Sequence, residues 1–130
     1  MGTGFQSLLL FATYLGAGLA LLAGFTFLYM RITPYDEAAQ IKDGEAAPAI
    51  ALAGAMLGFT FPLLVASHVR SGFTDFIAWG LIACLVQLVV FWVLYWLLPR
   101  VIATNNSAGA LCFATASVCA GLLNAVSFML

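Results

Sequence analysis

Apolar residues fill four long runs, about Phe5 to Met30, Ala46 to Ser67, Phe73 to Leu98 and Ala108 to Leu130, and almost every charge falls between them. A helix rises ~1.5 Å per residue, so about 20 apolar residues cross the ~30 Å hydrocarbon core of a bilayer. Each run reaches that length. None shows the roughly ten-residue alternating segment of a membrane barrel strand. The pattern predicts an all-α membrane protein with four transmembrane helices, forming a single domain over residues 1–130. The first run is expected to remain as a span. A secretory signal carries its basic residues ahead of a short apolar core, whereas the first basic residue here, Arg31, follows the whole run.

Composition agrees with the pattern. Hydrophobic residues make up 65% of the chain and charged ones 7%, far below the quarter or so that a water-soluble domain carries. With four basic residues and a net charge of −1, nucleic-acid binding has no electrostatic support. Arg31, Lys42 and Arg100 lie in the connections after the first and third runs, which share one side of the membrane, while Arg70 lies on the other. The positive-inside rule then places the first side in the cytoplasm and both termini outside it. Tyr29, Trp92, Tyr95 and Trp96 cluster at the first side and Trp79 near the second, as interfacial aromatic anchors do.

The connection from Arg31 to Glu45 predicts a short interfacial helix. Thr33 is expected to cap it, with Pro34 at the first helical position, Asp36 and Glu37 at the positive end of its dipole, Lys42 at the negative end and Gly44 to terminate it. The halves of the chain also resemble each other weakly. A shift of 61 positions pairs Ile41 with Ile102, Ala47 with Ala108, Ala49 with Ala110 and Ala55 with Ala116, which suggests tandem duplication of a two-helix unit.

Helices in lipid gain nothing by leaving water, so their association relies on close packing between small residues. The first run carries Ala12, Gly16, Ala20 and Gly24 at an unbroken four-residue spacing. The second offers Gly54 and Gly58, and the fourth Ser117, Gly121 and Ala125. These positions are expected at helix contacts, while the bulky third run suits a lipid-facing or subunit-facing position. Pro62 removes a backbone donor inside the second run and crowds the Gly58 carbonyl, which predicts a kink.

Gln87, Asn106 and Asn124 are candidate polar contacts; Gln87 and Asn124 lie within the runs, where an amide in hydrocarbon needs a partner. Hydrogen bonding between helices is the expected role of these two. His68 is expected at the interface. Cys84, Cys112 and Cys119 lack Cys-x-x-Cys spacing and read as small packing residues. No acid–base pair lies within a run, and no phosphate loop or nucleophile elbow is present. The chain is therefore expected to have no catalytic residue, no metal ligand and no cofactor.

The segment Thr33-Pro34-Tyr35-Asp36-Glu37, with Ile41, Gly44 and the small-residue run from Ala46 to Gly54, resembles the domain-of-unknown-function 350 family, the YjfL-like bacterial inner membrane proteins. Pro62, Gln87, Pro99, Asn105-Asn106 and Gly121-Leu122-Leu123-Asn124-Ala125 are similar to later positions of that family. Family members usually have Gly-Asn before the second span. This chain has Gly44-Glu45, and the matching amide stands only in the second half, as Asn106. The resemblance implies four spans in a bacterial inner membrane and an internal duplication, with no settled activity. Two functions follow as expectations: a noncatalytic membrane module that assembles with itself or with an envelope partner protein, or an oligomeric channel or transporter with an amide-lined path.

Overall fold

The computed structural model describes residues 2–33, 36–69, 72–102 and 104–128. Those residues hold five helices and no strand: α1 (Gly2–Ile32), α2 (Glu37–Lys42), α3 (Ala46–Val69), α4 (Phe73–Leu97) and α5 (Ser107–Ser127). α1, α3, α4 and α5 are each long and apolar enough to cross a membrane. They match the four apolar runs to within a few residues at each end.

The short helix forms one turn later than the capping pattern suggests. Thr33 belongs to the end of α1: its N–H donates to the Tyr29 carbonyl at 3.0 Å and its hydroxyl to the Met30 carbonyl at 3.1 Å. A residue bonded into the outgoing helix does not cap the next one. Asp36 does so instead, its Oδ1 accepting from the Ala39 N–H at 3.2 Å. Pro34 lies outside the described residues. Gly44 ends α2 as expected. At φ 84° it adopts the left-handed conformation, its N–H reaches the Ile41 carbonyl and the next N–H, of Glu45, reaches Gln40, so that both last carbonyls are satisfied in a Schellman turn.

The two helices in closest contact, α3 and α5, run parallel and begin at the same end of the molecule, where the Ala47 N–H at the start of α3 donates to Asn105 Oδ1 just before α5 at 2.9 Å. α4 runs back beside both, and α1 packs on α3 and α4. Close to the end where α1 finishes, an aromatic layer joins all four. Phe25 stacks on Phe59 at 4.6 Å between ring centres, Tyr29 meets Phe91 edge-on at 4.9 Å, and Phe91 reaches Phe113 at 6.4 Å. Such pairs add ~0.5–1.5 kcal/mol beyond burial alone.

The bulky and smooth helices exchange their expected positions. α4 contacts each of the other three spans and buries Phe76, Gly80, Ala83, Gln87, Leu88 and Phe91 along one face. Small residues at the crowded points of that face let it sit centrally, while Leu81, Leu85 and Val89 point outward. α1, with its smooth stripe, lies at the periphery. Only 6% of its most apolar 18-residue stretch is buried, against 44% for α3.

Candidate functional site

The tightest point of the molecule lies midway along α3 and α5. A Cβ added to Gly54 would overlap the Ala114 backbone, one added to Gly58 would strike the Ser117 carbonyl oxygen, and one added to Gly121 would strike the carbonyl oxygen of Gly58. The two backbones touch, and only hydrogen fits between them. Pro62, fully buried one turn on, has no N–H to give the Gly58 carbonyl. That carbonyl is directed at the Gly121 Cα instead, while the Ser117 carbonyl is directed at the Gly58 Cα. Reciprocal Cα–H···O contacts of this kind recur between close-packed helices and contribute ~0.5–1 kcal/mol each. The proline and the two glycines thus form one arrangement.

Gln87 brings α4 into it. Its Nε2 donates to the Ser117 carbonyl at 3.2 Å and lies 3.0 Å from where a Gly58 Cβ would stand. The side chain is 1% exposed, and its Oε1 has no hydrogen-bond partner among the described residues. Asn124, two turns beyond Ser117 on α5, likewise has a buried Nδ2 without a partner there. The two amides lie on neighbouring helices, and neither orphan atom is bonded to the other. Ala125 is buried on the α5 face that also carries Ser117 and Gly121.

A second polar arrangement sits at the start of α3 and α5. Asn106 is the N-cap of α5, its Oδ1 accepting from the Gly109 N–H at 3.1 Å. Asn105, in the left-handed conformation at φ 51°, turns its own Oδ1 across to the Ala47 N–H. Glu45, which precedes α3, supplies no cap, and Asn105, 58 residues beyond Ala47, makes the bond. Of these positions, Asn105 was legible in the sequence only through the family resemblance. Its sequence signal is the left-handed tolerance of asparagine next to a helix start.

The remaining small residues do not join this core. Ala12, Gly16, Ala20 and Gly24 are all exposed on α1, and a Cβ at Gly16 or Gly24 would meet nothing within 4 Å. His68 is exposed at the end of α3, Cys84 is half-buried, and Cys112 and Cys119 are exposed on α5. Among the described residues, no three of the His, Cys, Asp and Glu side chains come together in a way that would hold a metal ion. The larger clefts run along the flanks of the bundle. One of about 510 Å³ lies between α1 and α3 over Tyr14, Leu63 and Phe76, and one of about 460 Å³ lies along α4 beside Ile32.

These features define an all-helical integral membrane protein with four spans, closed around a glycine and amide junction in which three helices meet. The model of the Domain of Unknown Function DUF350 matches residues 3–128, and the chain belongs to that family. It is 35% identical over 123 residues to the UPF0719 inner membrane protein YjfL of Escherichia coli strain K12, covering 92% of this chain and 93% of that protein. The protein of the same name from Escherichia coli O157:H7 is similar to the same extent. No solved structure matches the chain.

Proposed function

We propose that this chain is a noncatalytic module of the bacterial inner membrane that assembles with itself through the exposed stripe of α1. The observation that carries the reading is the contrast between the two sets of small residues. Gly54, Gly58 and Gly121 are consumed inside the chain, whereas Ala12, Gly16, Ala20 and Gly24 present an equally smooth surface to the outside. Four-spaced small residues let helices approach closely, and in lipid that approach is a main source of association. An envelope partner with a matching helix is the other occupant of this surface. The E. coli relative's description as an inner membrane protein supports the location.

A second reading, an oligomeric channel or transporter, draws on Gln87 Oε1 and Asn124 Nδ2, buried amide atoms of the spans without partners among the described residues. Buried ionisable groups usually mark a transport path, and the aromatic layer of Phe25, Phe59, Phe91 and Phe113 crosses the interior beside Gln87. The assembly reading is therefore preferred.

The test is subunit counting by single-molecule photobleaching in nanodiscs. Wild-type protein is expected as oligomers. Gly16→Leu and Gly24→Leu should be monomeric with unchanged helix content and melting temperature, because a Cβ at either position meets nothing within 4 Å. Oligomers that persist in the double variant overturn the stripe as the interface, and a monomeric wild type overturns self-assembly.

A further inference from the structure

We propose that the cleft at the turn between α4 and α5 binds an anionic phospholipid, with its phosphate held by Arg100 and Asn106. Leu97, Leu98, Arg100, Thr104 and Asn106 all line this cleft, which encloses about 350 Å³. The turn that forms it is fixed by its own bonds. Both the N–H and the hydroxyl of Thr104 donate to the Arg100 carbonyl, at 3.0 and 2.6 Å, and the Asn106 N–H donates to the Val101 carbonyl at 2.8 Å. Val101 and Ile102 are buried, so the turn is anchored in the bundle and its lining is held in place before any ligand arrives.

The cleft offers one positive charge and one oriented donor beside apolar surface. Arg100 is exposed and pairs with no carboxylate among the described residues. Asn106 Oδ1 is occupied by the Gly109 N–H, which orients the amide. Its Nδ2, 3.3 Å from where a Gly109 Cβ would stand, has no acceptor among the described residues. A guanidinium and an amide N–H call for a ligand rich in acceptor oxygens, and phosphate suits both, since its oxygens take two parallel bonds from an arginine. Leu97 and Leu98 are 59% and 43% exposed, and an ion from the water would leave them uncovered. Trp96, 79% exposed just before them, stands where indoles mark the border between hydrocarbon and headgroups. An acyl chain along the leucines and a phosphate at the cation account for both parts of the lining. A choline headgroup would bring its own cation against Arg100, so the favoured occupant carries a net negative charge. The proposal does not depend on how many copies assemble.

Native mass spectrometry tests it, by counting the lipids retained on protein released from vesicles of equal phosphatidylglycerol and phosphatidylcholine content. A basic residue near the surface favours anionic lipid by about fivefold, so the wild type should retain phosphatidylglycerol over phosphatidylcholine by at least about that ratio. Arg100→Gln should erase the preference and Arg100→Lys should restore most of it. Asn106→Asp keeps a good cap on α5 while replacing the donor by an anion, and should erase it too. Arg31→Gln and Lys42→Gln remove the same unit of charge from the same side of the protein and should leave it intact. Equal retention of the two lipids by the wild type overturns the site. So does an equal loss in Arg100→Gln, Arg31→Gln and Lys42→Gln, which would mark a diffuse surface potential. Displacement of the lipid by inorganic phosphate at equal concentration would overturn the lipid as occupant, and lipid retained only by monomers would give the cleft to a second copy instead.

Discussion

At Gly121 a single hydrogen atom decides how close two helices come. The Gly58 carbonyl, left without a helical donor by Pro62, occupies the space that any side chain at 121 would need. Gly121→Ala must push α5 away from α3 and break the Gln87 contact with Ser117. It is expected to cost at least ~3 kcal/mol, the upper end of overpacking effects, read as loss of melting temperature in detergent. Gly16→Ala, where a Cβ meets nothing, should be silent in the same measurement. Gln87 contributes less than its burial suggests. An amide bond between membrane helices averages ~0.6 kcal/mol, and its orphan Oε1 offsets part of that. Gln87→Leu should lower the melting temperature only slightly and leave ion flux in liposomes at the level of empty vesicles. Gln87→Glu, which places an ionisable group at mid-membrane, should lower the melting temperature more than Gln87→Leu does. Flux above background in the wild type, with selectivity altered in Gln87→Leu, would replace the assembly reading by the channel reading. The sequence singled out Gly58, Pro62, Gln87 and Gly121 one by one from their chemistry. Their meeting at one level was not legible, because it depends on the parallel register of α3 and α5, which no local pattern encodes.

Between elements, the most informative bond is the one from Ala47 to Asn105. α3 starts Glu45-Ala46-Ala47-Pro48, so its first turn has no side-chain cap of its own, and Pro48 lacks an N–H to satisfy. Asn105 supplies the missing acceptor and so ties the start of α3 to the start of α5. Replacing a capping residue typically costs ~1 kcal/mol, and placing alanine in a left-handed conformation adds ~1 kcal/mol more. Asn105→Ala is therefore expected to lose ~2 kcal/mol, and Asn105→Gly, which keeps the backbone and drops only the cap, about half of that. Equal losses in chemical denaturation would assign the whole effect to the cap. The four spans were readable because hydrophobic length is a property of each run by itself. The start of α2 was misplaced by one turn because Thr33 and Asp36 are both good caps, and the choice between them turns on how far α1 extends. The reversed positions of α1 and α4 have a similar origin. Bulk along a run says little about which face is small, and Gly80 and Ala83 give α4 the smooth face that α1 keeps unused. We propose a tandem origin for the halves α1–α3 and α4–α5, supported by the parallel course of α3 and α5. Gly58 and Gly121, which meet across that pair, do not fall opposite each other at a shift of 61.

For the molecule as a whole, the four spans put the ends of α1 and α4 and the starts of α3 and α5 on one side, as the hydrogen bond between Ala47 and Asn105 requires. That side carries Arg31, Lys42 and Arg100, and also Trp92 and Trp96. Positively charged connections stay in the cytoplasm because moving them against the membrane potential costs ~2.3 kcal/mol per charge per 100 mV. We therefore propose that this side is cytoplasmic and that the start of α1 lies outside. Gly4 and Lys42 are both exposed, and a Cβ at Gly4 meets nothing within 4 Å, so cysteines at these positions should leave the fold undisturbed. In a background without Cys84, Cys112 and Cys119, the Gly4→Cys variant should react with an impermeant maleimide added to intact spheroplasts. The Lys42→Cys variant should react only after the membrane is opened. Reaction of Lys42→Cys in sealed spheroplasts would invert the topology.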